Sequence, residues 1–292
     1  MKKHTLNEKI FQLFLSLLMI GVAIAMLYPM WYVIVGSFSD SNEVIRSGGK
    51  LLWVKKFTLG AYEVVLNNKS IWSGYANTLF ILFVGTALSI FFTILGGYFL
   101  SKKNVLFKNV IAFLVVLTMY FSGGMIPTFL TVKSLGLFNN RWVLIILSAL
   151  STYNLIIMRA AFLAVPKSLE EAAFIDGANH LTVLFKVLVP LVKATIAVIV
   201  LYSAVGHWNS WFNAMIYIQD TTKFPLQLVL RSILIQNDTS QMTQSIGDTS
   251  RANISETIKY ATIVVSTIPI LAIYPFLQKY FVRGTMLGAV KE

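Results

Sequence analysis

Val165–Leu191, VPKSLEEAAFIDGANHLTVLFKVLVPL, lies between two long apolar runs and is the longest such stretch that reads as ordered helix with charges of both signs. Pro166 followed by Ser168 and Glu171 marks a helix start, since Ser168 can cap the first free amides while Glu171, three residues on, reaches back in a capping box. A short helix is expected to about Asp176. Gly177 then fits the position just past a helix end, where a left-handed backbone costs little without a Cβ. Asn179 can cap a second helix, whose Leu181, Leu184, Phe185 and Leu188 share one side before Pro190 interrupts it. The pattern is helix, glycine turn, helix. A first helix of about two turns is unstable alone in water, so it needs a surface to pack against, and Ala172 with Ala173 let that surface come close.

Outward from this hairpin the chain is apolar on both sides. Of 292 residues 57% are hydrophobic and 12% charged, against about a quarter charged in soluble domains. Runs free of Asp, Glu, Lys and Arg separate Lys9 from Asp40, Lys69 from Lys102, Lys108 from Lys133, Arg141 from Arg159, Lys193 from Asp220, and Lys259 from Lys279. Each is close to or above the ~20 residues that cross a bilayer. The expectation is an all-α membrane protein with six transmembrane helices, at about 10–37, 73–100, 110–132, 142–160, 191–218 and 259–281, and the 165–190 loop between the fourth and fifth. The net charge of +12 sits at span ends rather than along one face, which suits anionic lipid headgroups and gives no nucleic-acid site. The chain has no cysteine, which excludes disulfides and thiol chemistry.

Glu171-Ala172-Ala173, three residues, Gly177, nine residues, then Val187-Leu188-Val189-Pro190 resembles the EAA loop of permease subunits in binding-protein-dependent ABC importers. Val187 stands where isoleucine is usual, and Lys193 where many sugar permeases have a second proline. The resemblance implies that 1–292 is a single importer transmembrane domain and that the loop is a coupling helix seated in a cytoplasmic ATPase, with Glu171, Ala172, Ala173, Gly177 and Pro190 as its residues. The alternative is an amphipathic hairpin on the membrane surface, in which Glu171 only caps.

Phe121-Ser122-Gly123-Gly124-Met125-Ile126-Pro127-Thr128, Lys133-Ser134-Leu135-Gly136-Leu137 and the C-terminal Tyr274-Pro275-Phe276 and Gln278–Lys291 are similar to a subgroup of sugar permeases that handle large oligosaccharides or polysaccharide fragments. The implied partners are a second, non-identical EAA-type permease, two ATP-binding subunits, an extracytoplasmic solute-binding protein and an oligosaccharide substrate, in a plasma membrane.

Lys2, Lys3 and Lys9 precede an apolar run that continues through Tyr28, Trp31 and Val35 to Ser37, too long for a signal peptide, so it reads as an uncleaved first span that Pro29 bends locally. The short basic loops place the amino terminus, Lys102 to Lys108, the hairpin and the tail from Lys279 in the cytoplasm, with both termini on that side. Long stretches at 38–72 and 220–258 are then outside. In the second span Asn77-Thr78, Gly85, Gly96 and Gly97 allow close helix packing. Gly123-Gly124 and Pro127 are expected to break the third near its outer end. The outer stretch 219–256 is either a linker or the face toward the binding protein, and Phe224-Pro225-Leu226 is expected to re-enter or lie against the bundle.

In the fifth span GHWNSWFNAMIY, 206–217, mixes amides with aromatics, and Asn209, Asn213 and Tyr217 recur every four residues on one expected face. With Trp208 and Trp211 they could line a sugar path. An aromatic belt with interhelical amide bonds explains the same residues.

No GxxxxGK[ST] loop is present, so the chain is not itself an ATPase, and no catalytic residue, cofactor or metal site is expected. His4, His180 and His207 are far apart, and no carboxylate lies inside a span. Ion-coupled carriers commonly keep ionisable groups at mid-membrane, which disfavours the main alternative, a self-sufficient secondary carrier.

Overall fold

The computed structural model describes residues 6–103, 105–235 and 255–272. Apart from one isolated bridge between Ser39 and Phe57, the regular structure of these residues is helical. The chain divides into two compact units: one takes in the chain up to Lys69 with Ser232–Ile268, the other Ser70–Arg231 and the chain from Pro269.

The first unit begins with α1, Leu6–Ser37, 32 residues. At 1.5 Å per residue it runs ~48 Å. Its residues 7–31 are all exposed, and burial begins only near Tyr32 and Val35. An apolar helix left bare by its own chain is suited to lipid or a partner helix rather than to water. Pro29 is accommodated within the continuous helix. Two short helices follow, α2 (Ser41–Arg46), capped by Asp40, and α3 (Gly60–Leu66). Val35, Val44 and Leu51 form the unit's small core with Tyr32 and Tyr260, the latter on a helix over 255–272. Gly36 is required there, because a Cβ would lie 2.9 Å from the Tyr260 ring.

The second unit is threaded on α4, Lys69–Ser101, 33 residues. Its buried positions include Gly74, Thr78, Gly85, Ser89, Thr93 and Gly97, a stripe of small side chains about four residues apart that lets neighbours approach the backbone. The next apolar helix, α5 (Lys108–Tyr120), is 13 residues long and is followed, after a turn through 115°, by α6 (Met125–Ser134). The expected single span over 110–132 is therefore broken at its middle, not near its outer end. Gly124 sits at φ +90°, open to glycine, and Pro127 falls in the first turn of α6, where its missing N–H has no helical partner to lose.

The expected fourth span, 142–160, is likewise divided into α7 (Trp142–Ile146) and α8 (Thr152–Ala164). Ser148 Oγ bonds back to the Leu144 carbonyl and Ser151 Oγ caps α8, so the serines close one helix and open the next. After α8 come α9 (Lys167–Ile175) and α10 (His180–Leu191), then an 85° turn at Val192 into α11 (Lys193–Trp208). Residues 183–188 of α10 are wound as a π-helix, with the Val189 amide bonding five residues back to Leu184. Pro190 accounts for this: it cannot donate to the Lys186 carbonyl, and the wider turn relieves its ring. A further break at 209–211 precedes α12 (Phe212–Tyr217), and α13 is Leu226–Ile235.

Among the described residues α1 and α4 are individually long and apolar enough to cross a membrane, and these residues give up to four crossings if each sharply bent pair counts as one. The sixth expected span, 259–281, is described only to residue 272, and the 236–254 part of the outer stretch and the C-terminal motifs from Tyr274 lie outside the described residues.

Two clusters build the core of this unit. Ile81, Val143, Leu144, Ile145, Ala214 and Tyr217 form one, and Ile94, Met158, Phe162, Leu184, Leu188 and Ile199 the other. At Gly97 a Cβ would meet Met158 Cβ at 2.9 Å and the Arg159 backbone nitrogen at 3.2 Å, whereas at Gly96 it would meet chiefly a terminal Leu155 methyl. A leucine methyl can rotate and a backbone nitrogen cannot. We expect Gly97→Ala to destabilise by about 1–3 kcal/mol and Gly96→Ala by less. Thermal unfolding of the two variants in one detergent checks the order; equal melting shifts would contradict the packing at Gly97.

Candidate functional site

Between the two clusters lies a cavity of about 610 Å³, lined by Ser89 of α4, by Ser148, Ser151, Tyr153 and Asn154 at the α7–α8 junction, and by residues around the end of α11 that include Tyr202, Ser203, His207, Asn209 and Asn213. Ser89 is eight residues from Ile81 and five from Ile94, so it stands ~12 Å from one cluster and ~7.5 Å from the other along α4. Ten of the thirteen lining residues carry a hydroxyl or an amide. Ser89 Oγ and Ser203 Oγ are 3.3 Å apart, and Asn154 Nδ2 reaches the same Ser203 oxygen at 3.5 Å. Tyr153 and Tyr202 stand together, ring centroids 6.5 Å apart. His207 packs its ring closely against Gly85, where a Cβ would lie 2.5 Å from Cε1. No Asp, Glu, Lys or Arg is among the residues lining this cavity. The arrangement can donate to and accept from hydroxyl groups, and offers rings to apolar sugar faces.

The five path residues expected from the sequence separate. Asn209 and Asn213 line the cavity. Tyr217 does not: it is buried in the Ile81 cluster, stacked on Phe129 at 6.1 Å. The reason is the break at 209–211, which ends the α-helical register on which a common face for Asn209, Asn213 and Tyr217 depended. Trp208 is buried outside the cavity lining, and Trp211 is partly exposed under the Arg231 guanidinium, 5.0 Å from its ring centroid. Sequence reasoning missed the contribution of Ser148, Ser151, Tyr153 and Asn154, although a polar Ser-Thr-Tyr-Asn run inside a charge-free stretch was a usable signal.

At one end of α4 sits the 165–190 hairpin. Lys102 pairs with Glu170 and lies over the Tyr98 ring, 4.1 Å from its centroid. Tyr98 Oη is 3.0 Å from His180 Nδ1, and the His180 ring meets Phe174 at 5.0 Å. Ala173 and Ala178 pack on the Ile94 cluster. The hairpin is thereby fixed to α4 through α9 and α10 together. Gly177 has φ +83° with nothing within 4 Å of an added Cβ, so the glycine is needed for conformation and not for space. Asn179 Oδ1 accepts from the Thr182 amide at 2.8 Å.

The expected capping box does not form. Pro166 is the N-cap, the helix starts at Lys167, and Ser168 is inside the first turn, where its side chain is past the capping position. Glu171 and Ala172 are instead exposed, beside Leu169 and an 86% exposed Ile175. Glu171 also lines a cleft of about 530 Å³ with Lys103 and Lys167. A side-chain hydrogen bond with Lys103, and then the positive charge of that neighbour, hold the Lys167 pKa below its ordinary value. Pro190 lies two residues from the 85° bend into α11.

At the opposite end of α4, Asn77 Nδ2 donates to the carbonyls of Thr222 and Phe224 at 2.8 and 3.0 Å, while its Oδ1 accepts from Arg141 at 2.9 Å. Thr78 Oγ1 accepts from the buried Leu226 amide. Asn139, at φ +58°, holds the amides of Gln219 and Asp220 on its side-chain oxygen. The Asp220 carboxyl is held below its usual range by hydrogen bonds from Thr222. These residues latch 219–226 onto the unit, which answers the expectation that Phe224-Pro225-Leu226 lies against the bundle. Their pairing spans up to 148 residues of sequence and was not readable from local pattern.

Residues 90–286 match the model of the binding-protein-dependent transport system inner membrane component. The chain is 41% identical over 99% of its length to protein LplC of Bacillus subtilis, covering 98% of that protein. It is 40% identical over 98% of its length to the polygalacturonan/rhamnogalacturonan transport system permease protein YtcP of the same organism, covering all of it. Among solved structures it resembles a chain of a bacterial ABC transporter involved in the import of the acidic polysaccharide alginate, with a TM-score of 0.90, 35% identity, and 96% and 100% of the two chains covered. The chain belongs to the permease family of binding-protein-dependent ABC importers. It is a membrane protein and a transport subunit, and the secondary-carrier alternative falls with this assignment.

The latch gives a direct test. Asn77→Ala leaves Arg141 without that acceptor and two carbonyls without that donor, and should destabilise by about 1–3 kcal/mol. Arg141→Ala acts through the same contact, so the double variant should lose less than the sum, by about 0.5 kcal/mol or more. Strict additivity in thermal or denaturant unfolding would mean that the Asn77–Arg141 bond is not formed in the folded protein.

Proposed function

We propose that the chain is one of two non-identical permease subunits of an ABC importer that carries oligosaccharides across the plasma membrane, driven by ATP hydrolysis in two separate subunits and supplied by an extracytoplasmic solute-binding protein. The observation that carries the reading is full-length likeness to permeases whose names specify polysaccharide-derived cargo, 40% identity over 98% of the chain in the case of the polygalacturonan/rhamnogalacturonan permease. The cavity supports it, since hydroxyls, amides and rings without fixed charge suit a polyhydroxylated ligand.

In this reading residues 1–292 form one transmembrane domain with six spans, both termini and the 165–190 loop cytoplasmic. Three of the spans are then broken helices, and the backbone freed at 147–151 and 209–211 lies at the cavity, where a membrane tolerates it. The exposed edge of α9, with Glu171, Ala172 and Ile175, is the face offered to the ATPase. Gly177 shapes the turn behind it. Movement of the ATPases reaches the cavity through α10, Pro190 and the bend into α11, because α11 carries Tyr202, Ser203 and His207.

Two outcomes are expected. Gly177→Val places a β-branched residue at φ +83°, a cost of about 1–3 kcal/mol concentrated in the turn. The variant should assemble in the membrane yet show reduced substrate-stimulated hydrolysis; normal stoichiometry with normal stimulation would remove the coupling role. Asn209→Ala and Asn213→Ala each remove a hydrogen bond worth about 0.5–1.5 kcal/mol and should slow uptake several-fold in proteoliposomes, normalised to assembled complex. Unchanged specific uptake in both would leave the cavity as a packing feature.

A further inference from the structure

Leu51 is fully buried in the core of the first unit, while the next three residues, Leu52, Trp53 and Val54, all turn outward. Trp53 is 75% exposed, Leu52 59% and nearby Phe57 67%. Such a patch would ordinarily move on a loop, but this loop is fastened at both ends. Tyr28 Oη donates to the Gly49 carbonyl at 2.9 Å, and Trp31 Nε1 to the Leu52 carbonyl at 2.8 Å. At the far end the Asp40 amide bonds to the Lys55 carbonyl, the Lys55 amide to Ser39 Oγ, and the Thr58 amide to the Phe38 carbonyl. Trp31 and Trp53 also meet edge to face at 6.2 Å.

The fastening points set the depth of the loop. Lys9 is the last charge before the apolar run of α1, and Trp31 stands 22 residues beyond it. At 1.5 Å per residue that is ~33 Å, against a hydrocarbon core of about 30 Å. Tyr28 and Trp31 therefore fall where the core meets the headgroups, the level at which tyrosine and tryptophan collect. α1 continues another six residues to Ser37, but the loop folds back to Gly49 and Leu52 beside Tyr28 and Trp31, ~9–13 Å short of the helix end. The surface of α1 next to it is exposed and apolar along its length. Exposed Lys50 and Lys55 flank the apolar tip, and Lys56 is paired with Glu43 at 3.1 Å.

We propose that residues 47–57 are a membrane-interface anchor, which lays Leu52, Trp53 and Val54 into the acyl–headgroup boundary of the phospholipid leaflet at the end of α1, with Lys50 and Lys55 reaching phospholipid phosphates. Aromatic rings at that depth tolerate one wet edge, and lysine stems can lie along lipid while their ammonium groups stay in the headgroups. The inference depends on the membrane assignment and on the depth scale of α1, and is independent of which sugar is carried or how the ATPase couples.

The test uses the cysteine-free chain in the assembled complex, with other subunits also free of cysteine, in phosphatidylglycerol–phosphatidylethanolamine liposomes. Spin labels are placed singly at Trp53→Cys, at Leu52→Cys, which keeps Trp53 and its contact with Trp31, and at Asn67→Cys as a water-facing reference. Collision with oxygen relative to a water-soluble nickel chelate should be several-fold higher at 52 and 53 than at 67. Equal ratios at all three positions would overturn the proposal, because the loop would be in water. Low collision with both reagents at 52 and 53 would also overturn it, the patch being covered by the second permease. Protection that appears only after adding the solute-binding protein would assign the patch to that partner instead, and overturn the lipid anchor.

Discussion

Within a bilayer core, a backbone amide or carbonyl that leaves a helix must find a partner inside the protein. That constraint bears on two of the helix breaks in this chain. The breaks at 147–151 and at 209–211 fall on the same cavity, which both segments line. There serine hydroxyls take up carbonyls and amides that the helices release, as Ser148 and Ser151 do. At these two breaks irregular backbone coincides with the place where polar groups are wanted. The long helix α4 is continuous, and the cavity, the hairpin and the 219–226 segment are all attached to it.

α4 carries three functions at three heights. Its Asn77 and Thr78 hold the 219–226 segment, its Ser89 and Gly85 shape the cavity, and its Tyr98 with the adjoining Lys102 grips the hairpin. Because one uninterrupted helix joins the three, a displacement at the hairpin has two routes toward the cavity: along α4, and through the π-wound end of α10 into α11. The two routes meet at the contact of Ser89 with Ser203.

Much of this could be read from the sequence, and the exceptions have a common cause. Charge-free runs located the apolar helices α1 and α4, since the membrane acts on composition alone. Helix, glycine turn, helix was legible because Gly177 and Asn179 act through their own backbone neighbourhood. The capping role given to Ser168 failed because Pro166, with its fixed φ, takes the N-cap position itself. The face given to Asn209, Asn213 and Tyr217 failed because periodicity assumes a helix that continues, and the cavity is built by one that stops. Half of the cavity, and all of the Asn77–Arg141 latch, depends on which helices become neighbours, and a single sequence holds no local mark of that.

The absence of Asp, Glu, Lys and Arg from the residues lining the cavity has an electrical consequence. A transmembrane voltage performs about 2.3 kcal/mol of work per elementary charge per 100 mV, and only on charge that moves. A neutral sugar passing such a lining displaces none. If this cavity is the sugar path proposed above, its lining is electrically silent toward neutral cargo, and polarising the cell does no work on the sugar as it passes that lining.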